Sequence, residues 1–580
     1  MKVKSVPFFF HSDFALRVAL RRPLRNPMES LREELAHIEG EDATGAPLEG
    51  AMDSMRPAAS FRRQQLRFHD PEGGRGWIQQ TRDAEGLTKR QRDKVRAPLE
   101  AYIDRPLKPE RWENPSLPPY SVLPGDRVAL HLSSEKPAQV RCAVYREGAE
   151  EATSLLDASF AAEPQEVRPG TWAAGCRWPA AGELTVPPEW ASGVYRIELT
   201  ADGADAAPVC VLLVVRSPTP GASSPLLMCL STFTYVAYNN YGGHSLYGYS
   251  SQAENDEGKG WTQLLHRQGK GLQSTTVSCL RPGIGYGGTP EGRFTTWEKP
   301  FVEWCAKSGI PLEFCASEDI EGKEGPALLA NYKALVSVGH DEYYGAAQRK
   351  ALETFVGAGG HLAFFGGNQM LWKANYDPND RILACAKQFW NEHPTLILYP
   401  SVNTGMFGCT KPKVGPSSNT LLGAGAAYGG YHRCHGELMD GSGAYEVQQP
   451  EAWVFEGTGL RAGEKFGGRF SIVGYECDGV DWKWEEGEGG RKMVPTGTDG
   501  TPSHFAICAT APASWGPEFD EFPELAKQAG LAKEGNATMG WYQSEGGGFV
   551  FNAGSTDWVL GLADPAVERI TRNVLDAARK

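Results

Sequence analysis

Residues Ala334–Asn368 constrain the fold more tightly than any other stretch. Ala334–Val338 is an apolar run suited to a buried strand, and Gly339 closes it. His340, Asp341 and Glu342 then crowd a sharp turn. A helical pattern follows over Tyr343–Val356, and Gly357, Gly359 and Gly360 stop it. Leu362–Phe365 reads as a second buried strand, ended by Gly366, Gly367 and Asn368. Strand, turn, helix, strand is the repeating unit of a parallel sheet. Ligands of open α/β sheets bind beyond the carboxyl ends of the strands. The pattern therefore sets His340, Glu342 and Asn368 over one crevice, with Glu342 at or just before a helix N-terminus, where the macrodipole favours an anion.

The alternation continues on both sides of this unit. Leu226–Leu230, Leu312–Cys315, Phe470–Val473 and Gly548–Phe551 read as further strands, and Phe301–Ser308 and Gln348–Phe355 as helices. Residues 226–580 are thus expected to form an α/β domain, with a Gly-rich, irregular insertion at about 377–545. Residues 116–216 hold short alternating runs punctuated by Pro and Gly, the pattern of an immunoglobulin-like β-sandwich. Ser217–Pro225 reads as a linker. Residues 1–115, with 21 Lys/Arg against 18 Asp/Glu, read as a partly helical, arginine-rich extension with helices at Met28–His37 and Thr88–Asp104. A multi-domain α/β protein is the expected class, because 580 residues exceed one core.

Charge and cysteine usage narrow the function. A net charge of −13 argues against a nucleic-acid-binding surface. No apolar run approaches the ~20 residues of a membrane span. The N-terminus lacks the h-region and cleavage site of a signal peptide. The twelve cysteines are scattered, with no CxxC pair, so reduced thiols in a cytoplasmic protein are expected rather than a thiolate zinc site. His432 and His435 are a weak metal candidate in a Gly-rich setting.

Two further segments carry chemistry. Ser231–Tyr247 follows the first α/β strand and offers Tyr235, Tyr238, Tyr241 and Tyr247, which could pack in the core, stack on a sugar, or open onto the crevice. Glu476, in Gly474–Asp478, is a second carboxylate, read as lying at a strand end. Two phenolates and one carboxylate together carry a charge of −3, which balances a hard trivalent cation such as Fe(III). No Gly-x-Ser-x-Gly elbow is present, and no Ser or Cys nucleophile occupies the turn after Ala334–Val338.

Several short motifs, in order, resemble the large (beta) subunit family of N,N-dimethylformamidase and its C-terminal-domain relatives. They are TFTYVAYNN (232–240), GGHSLY (242–247), VGHDEY (338–343), GGHLAFFGGN (359–368), GTGL (457–460), GYECD (474–478) and FNAGSTDW (551–558). The resemblance implies a glutamine-amidotransferase-like α/β domain and a mononuclear, non-haem ferric centre that hydrolyses a small amide through metal-bound hydroxide. Carried onto this chain, it implies Glu342, Tyr247 and Tyr238 as iron ligands, with Tyr235 as fallback for Tyr238. It places His340 and Asn368 beside them and Glu476 as the pocket carboxylate. Glu476 or His340 would move the proton to the leaving amine, and Asn368 would orient substrate or donate to the developing oxyanion. The enzyme that names the family works with a small helical subunit; here a homo-oligomer without that subunit is expected. Two alternatives stand: a non-catalytic carbohydrate or peptide recognition module with an aromatic crevice, and a hydrolase of larger amides using the same centre.

Overall fold

The computed structural model describes residues 99–104, 120–149, 154–202, 207–247, 274–385, 404–410, 414–431, 443–487, 490–516, 526–527 and 530–580. The expected helix at Met28–His37 and the pair His432 and His435 lie outside these residues.

Alternating apolar residues build the first domain. Strands β1 (Leu99–Asp104), β3 (Arg127–Ser134) and β6 (Gly182–Thr185) form one antiparallel sheet. Strands β2 (Ser121–Val122), β8 (Val209–Val215), β7 (Gly193–Ala201), β4 (Ala138–Arg146) and β5 (Leu156–Ala162) form a second, five-stranded sheet. Val128, Leu130 and Leu132 of one sheet share a core with Val140, Cys142, Val144, Ile197 and Leu199 of the other. The helix expected at Thr88–Asp104 is not formed over its last six residues. Leu99–Asp104 is instead a strand in register with β3, Leu99 opposite Ser134 and Asp104 opposite Ala129. Its period-two pattern buries Ala101 and Ile103 completely, and that burial overrides local helix propensity. The domain accordingly starts before residue 116.

The second domain is centred on one large sheet. Strands β10 (Glu313–Ala316), β9 (Leu226–Leu230), β11 (Ala334–Gly339), β12 (His361–Gly366) and β17 (Phe549–Asn552) run parallel, in that spatial order. Helices α1 (Thr232–Tyr238), α2 (Glu298–Lys307), α3 (Ala346–Gly357) and α4 (Pro565–Ala578) accompany it. Successive residues of β9 feed different cores: Leu226, Met228 and Leu230 join one, Leu227 and Cys229 the other. Helices α2 and α4 cover the first core, α3 the second. Burial on both faces is what the continuous apolar runs require.

Beyond β17 the sheet continues antiparallel through β16 (Glu534–Gln543), β15 (Ala506–Ser514), β13 (Gly425–Tyr431) and β14 (Glu476–Gly479). This corrects the expectation of an irregular insertion at 377–545, which supplies half of the sheet. Its glycines serve close backbone approach: a Cβ on Gly429 would sit 1.9 Å from the Cys477 carbonyl oxygen. The strand expected at Phe470–Val473 is also absent. Gly468–Phe470 is a single 3-10 turn, Ser471 has φ +50°, and Glu476 opens a strand instead of following one.

Eleven described cysteines are free thiols, most of them buried. No helix among the described residues is long and apolar enough to cross a membrane.

Candidate active site

Gly339 ends β11 at φ +74°, and a Cβ there would strike the Trp297 side chain. The chain turns sharply, and His340, Asp341 and Glu342 diverge. Glu342 is not at a helix N-terminus, contrary to the sequence pattern. Tyr343 and Tyr344 pair with Trp372 and Lys373 as a short parallel bridge, and α3 begins only at Ala346. Glu342 is held by hydrogen bonds instead of by a dipole. Its backbone N–H donates to Thr234 Oγ1 at 3.0 Å, and Trp372 Nε1 donates to its Oε1 at 2.8 Å. Oε2 receives the Tyr247 hydroxyl at 2.5 Å. The Tyr343 hydroxyl donates in turn to the Tyr247 oxygen at 2.8 Å. The Tyr238 ring stacks on that of Tyr247, with centroids 4.1 Å apart. Tyr238, Tyr247 and Glu342 therefore converge.

His340 joins this cluster to Glu476. Its Nε2 lies 2.8 Å from Glu476 Oε2 and 3.6 Å from Glu342 Oε2, and its Nδ1 lies 3.3 Å from the Glu291 carbonyl oxygen. Two carboxylate oxygens near Nε2 and a carbonyl at Nδ1 make surroundings that favour an imidazolium. Burial opposes the charge, but Glu476 and Glu342 outweigh it and push the His340 pKa up to about 9. The rings of Tyr238, Trp297 and Tyr475 surround the imidazole at 5.6, 5.8 and 5.8 Å. Asn368, at φ +52°, donates from Nδ2 to Glu476 Oε2 at 2.7 Å. Thr556 Oγ1 accepts from the Glu476 backbone N–H at 3.4 Å, so the segment after β17 ties down the Glu476 main chain. Trp558 is fully buried and donates from Nε1 to Thr571 Oγ1 at 3.0 Å.

Other candidates point elsewhere. The Tyr235 hydroxyl donates to Glu298 Oε2, and the Ser231 N–H donates to Glu298 Oε1 at 3.0 Å. Burial, reinforced by Glu298, holds the Tyr235 pKa far above the usual phenol value. Tyr235, the fallback for Tyr238, thus faces Glu298. Burial raises Glu298 itself to about 8. The Tyr241 hydroxyl reaches Glu100 of the first domain at 2.7 Å. Asp341 accepts from Tyr344 at 2.5 Å and Ser337 at 3.0 Å, away from His340.

Five participants escaped the sequence reading: Glu291, Trp297, Tyr343, Trp372 and Tyr475. Tyr343 adjoins Glu342 and falls in the first three residues of the expected helix, which begins only at Ala346. Tyr475 lies inside the GYECD motif beside Glu476, whereas Glu291, Trp297 and Trp372 arrive from other segments without a local pattern. Glu291 is buried near His340 and Glu476, which lowers and raises its pKa respectively; burial dominates and raises it.

Among the described residues no group of three or more His, Cys, Asp or Glu could hold a metal. A cation at this site would draw on phenol oxygens, and the donor chemistry suits one. Tyr247 and Glu342 Oε2 already touch, Tyr238 stacks alongside, and all three offer hard oxygen donors.

Fold and site define a mixed α/β protein in which a buried histidine, two carboxylates and clustered phenols gather beyond the carboxyl ends of a parallel sheet. A family model described as N,N-dimethylformamidase beta subunit-like, C-terminal, matches residues 141–572. The chain belongs to that family. Similar proteins include the N,N-dimethylformamidase beta subunits of Alcaligenes sp and Paracoccus aminophilus, each 24% identical over 69% of this chain and 54% of its own length. The chain spans about half the length of these relatives.

Proposed function

We propose that this protein hydrolyses the C–N bond of a small amide, N-alkylated or not, using one ferric iron held by Tyr238, Tyr247 and Glu342. The observation that carries the reading is the Tyr247 hydroxyl 2.5 Å from Glu342 Oε2, in a chain of the dimethylformamidase family. Bound there, the iron supplies Lewis acidity, which polarises a carbonyl and acidifies water into a hydroxide source.

The chain's own residues do the rest. Trp372 fixes Oε1 of Glu342 and leaves Oε2 for the cation. Tyr343 donates to the Tyr247 oxygen and so helps fix its position. His340 holds a proton at Nε2 between two carboxylates and delivers it to the leaving amine. Glu476 keeps that imidazolium charged. Asn368 commits Nδ2 to Glu476, and its buried Oδ1 has no hydrogen-bond partner among the described residues. An acceptor suits the N–H of a primary or singly N-alkylated amide, so Asn368 orients such a substrate in preference to stabilising an oxyanion.

The recognition-module alternative asks for an open aromatic platform. Tyr238 is 3% and Trp297 5% exposed, which favours a small enclosed reactant. Immunoglobulin-like and amidotransferase-like topologies fit the two domains under this reading, and the free thiols fit a cytoplasmic setting. The relatives are named as beta subunits, whereas this chain is proposed to self-associate without a small subunit; light scattering of the purified protein tests that. The decisive experiment is metal analysis with a visible spectrum and a panel of formamides, acetamides and bulkier amides. Ferric phenolate absorbs visible light. A folded, colourless, metal-free protein inactive on the panel overturns the reading, and turnover of bulky amides alone moves the substrate class upward in size.

A further inference from the structure

Arg281 is completely buried, yet all of its hydrogen bonds among the described residues end on backbone carbonyls. Its Nε donates to Ser278 O at 2.7 Å. Its Nη1 donates to Asn239 O at 2.7 Å, Tyr241 O at 3.3 Å and His244 O at 3.4 Å. Its Nη2 donates to Val236 O at 2.8 Å. Burying a guanidinium without a carboxylate is costly, and burial lowers its pKa to about 10. Such a group needs a return for that cost.

The carbonyls show what the return is. Val236 and Asn239 sit at the end of α1, where backbone acceptors lack helical partners. Tyr241 and His244 lie in the turn that leads to Tyr247. The Leu246 N–H then donates to Ala237 O at 3.0 Å and closes the segment on itself. One planar fork therefore gathers both flanks of Tyr238 and the approach to Tyr247, whose rings stack 4.1 Å apart.

We propose that Arg281 is the positioning residue that fixes Tyr238 against Tyr247, tying Val236–His244 into a closed loop so that both phenols reach one cation. The proposal rests on the iron-ligand reading above. Lysine keeps the charge but concentrates its donors on one nitrogen and cannot span the same carbonyls. Arg349 supplies the control for loss of a buried guanidinium: it is 3% exposed and donates to Pro416 O at 2.5 Å, Ser417 O at 2.9 Å, Thr420 Oγ1 at 2.9 Å and Glu353 Oε1 at 3.0 Å, in contacts apart from the phenols.

The test compares R281K, R349K and the parent protein, each titrated with ferric iron and followed by bound-metal analysis and by the phenolate-to-iron absorption band. R281K is expected to bind iron at least tenfold more weakly or to shift the band, while R349K keeps both. An unchanged band and affinity in R281K, or an equal change in R349K, overturns the proposal. If R281K fails to fold, R281Q is read in the same way; failure of both, with R349K folded, reduces Arg281 to a plain scaffold role and also overturns it. A parent protein that takes up no iron sinks the functional reading instead. The Tyr238–Tyr247 ring separation in R281K crystals then decides Arg281 alone: widening supports the proposal and an unchanged separation overturns it.

Discussion

Glu342 uses its two carboxylate oxygens differently, and Glu476 shares only one of its own with the same histidine. Oε1 of Glu342 is fixed by Trp372 and Oε2 faces Tyr247, whereas Glu476 Oε2 meets His340 and Asn368. The two acids should therefore separate experimentally. Glu342→Ala is expected to lose iron and activity together. Glu476→Gln is expected to keep iron while kcat falls by roughly 10²–10⁴, the usual scale of a lost proton-transfer group. Metal analysis and steady-state rates on the same preparations decide this, and iron retained in Glu342→Ala would be incompatible with its role. A second buried acid gives a pH signature away from the cluster. Glu298 titrates at about 8 when folded against an ordinary 4.5, because burial favours its protonated form. Between these values the folded state keeps a proton that the unfolded chain has released. Stability therefore falls as pH rises, by about 1.4 kcal/mol per pH unit for one such group. Glu298→Gln should flatten that slope between about pH 4.5 and 8 in chemical denaturation series. An unaltered slope would show that Glu298 is ionised in the folded protein. The residues legible in the sequence, Tyr247, Glu342, His340 and Glu476, lie in short motifs next to strands or turns. Trp372 and Glu291 were not legible, because only the return of distant loops brings them near.

At the scale of elements, legibility follows the side-chain pattern. Leu226–Leu230 and Ala334–Val338 announce themselves because strands covered on both faces must be apolar throughout. Gly425–Tyr431 does not, because its fitness for the sheet lies in missing side chains. Gly430 pairs with Cys477 and Tyr431 with Glu476, and Gly429 packs its backbone on the Cys477 carbonyl. Composition read as irregular loop was close strand packing. Gly429→Ala tests this: the new Cβ meets backbone, which cannot swing aside, so β13 must move off β14. The cost expected for such overpacking is about 1–3 kcal/mol. It should appear as a lower Tm together with a reduced kcat, since β14 opens with Glu476. A Tm within error of the parent would show that the sheet absorbs the methyl group.

Across the whole molecule the two domains meet through a charge cluster rather than through the linker alone. Glu147 follows β4, is almost fully buried, and accepts from Arg196 Nη1 at 3.0 Å within its own domain. It also accepts from Lys299 Nζ at 2.7 Å on α2 and from the Tyr286 hydroxyl at 3.0 Å. Lys299 bonds Glu303 as well, and Arg196 bonds Glu198, so the two cations join three acids. Helix α2 also carries Glu298 at its first turn and follows Trp297, which stands beside His340. The first domain thus holds an element that lines the site. Removing Glu147 leaves two partly buried cations and a phenol without their shared acceptor. Loss of one partner from a fully buried pair costs about 3–5 kcal/mol; Lys299 and Arg196 retain some solvent contact, which argues for about 1–3 kcal/mol here. Glu147→Ala should lower the denaturation midpoint accordingly and raise KM more than it lowers kcat, because α2 shifts while the donor set of Tyr247 and Glu342 stays intact. Glu147→Gln, which keeps an acceptor oxygen, should recover much of the loss. Equal effects of the two substitutions would mean that charge, not the shared acceptor, couples the domains.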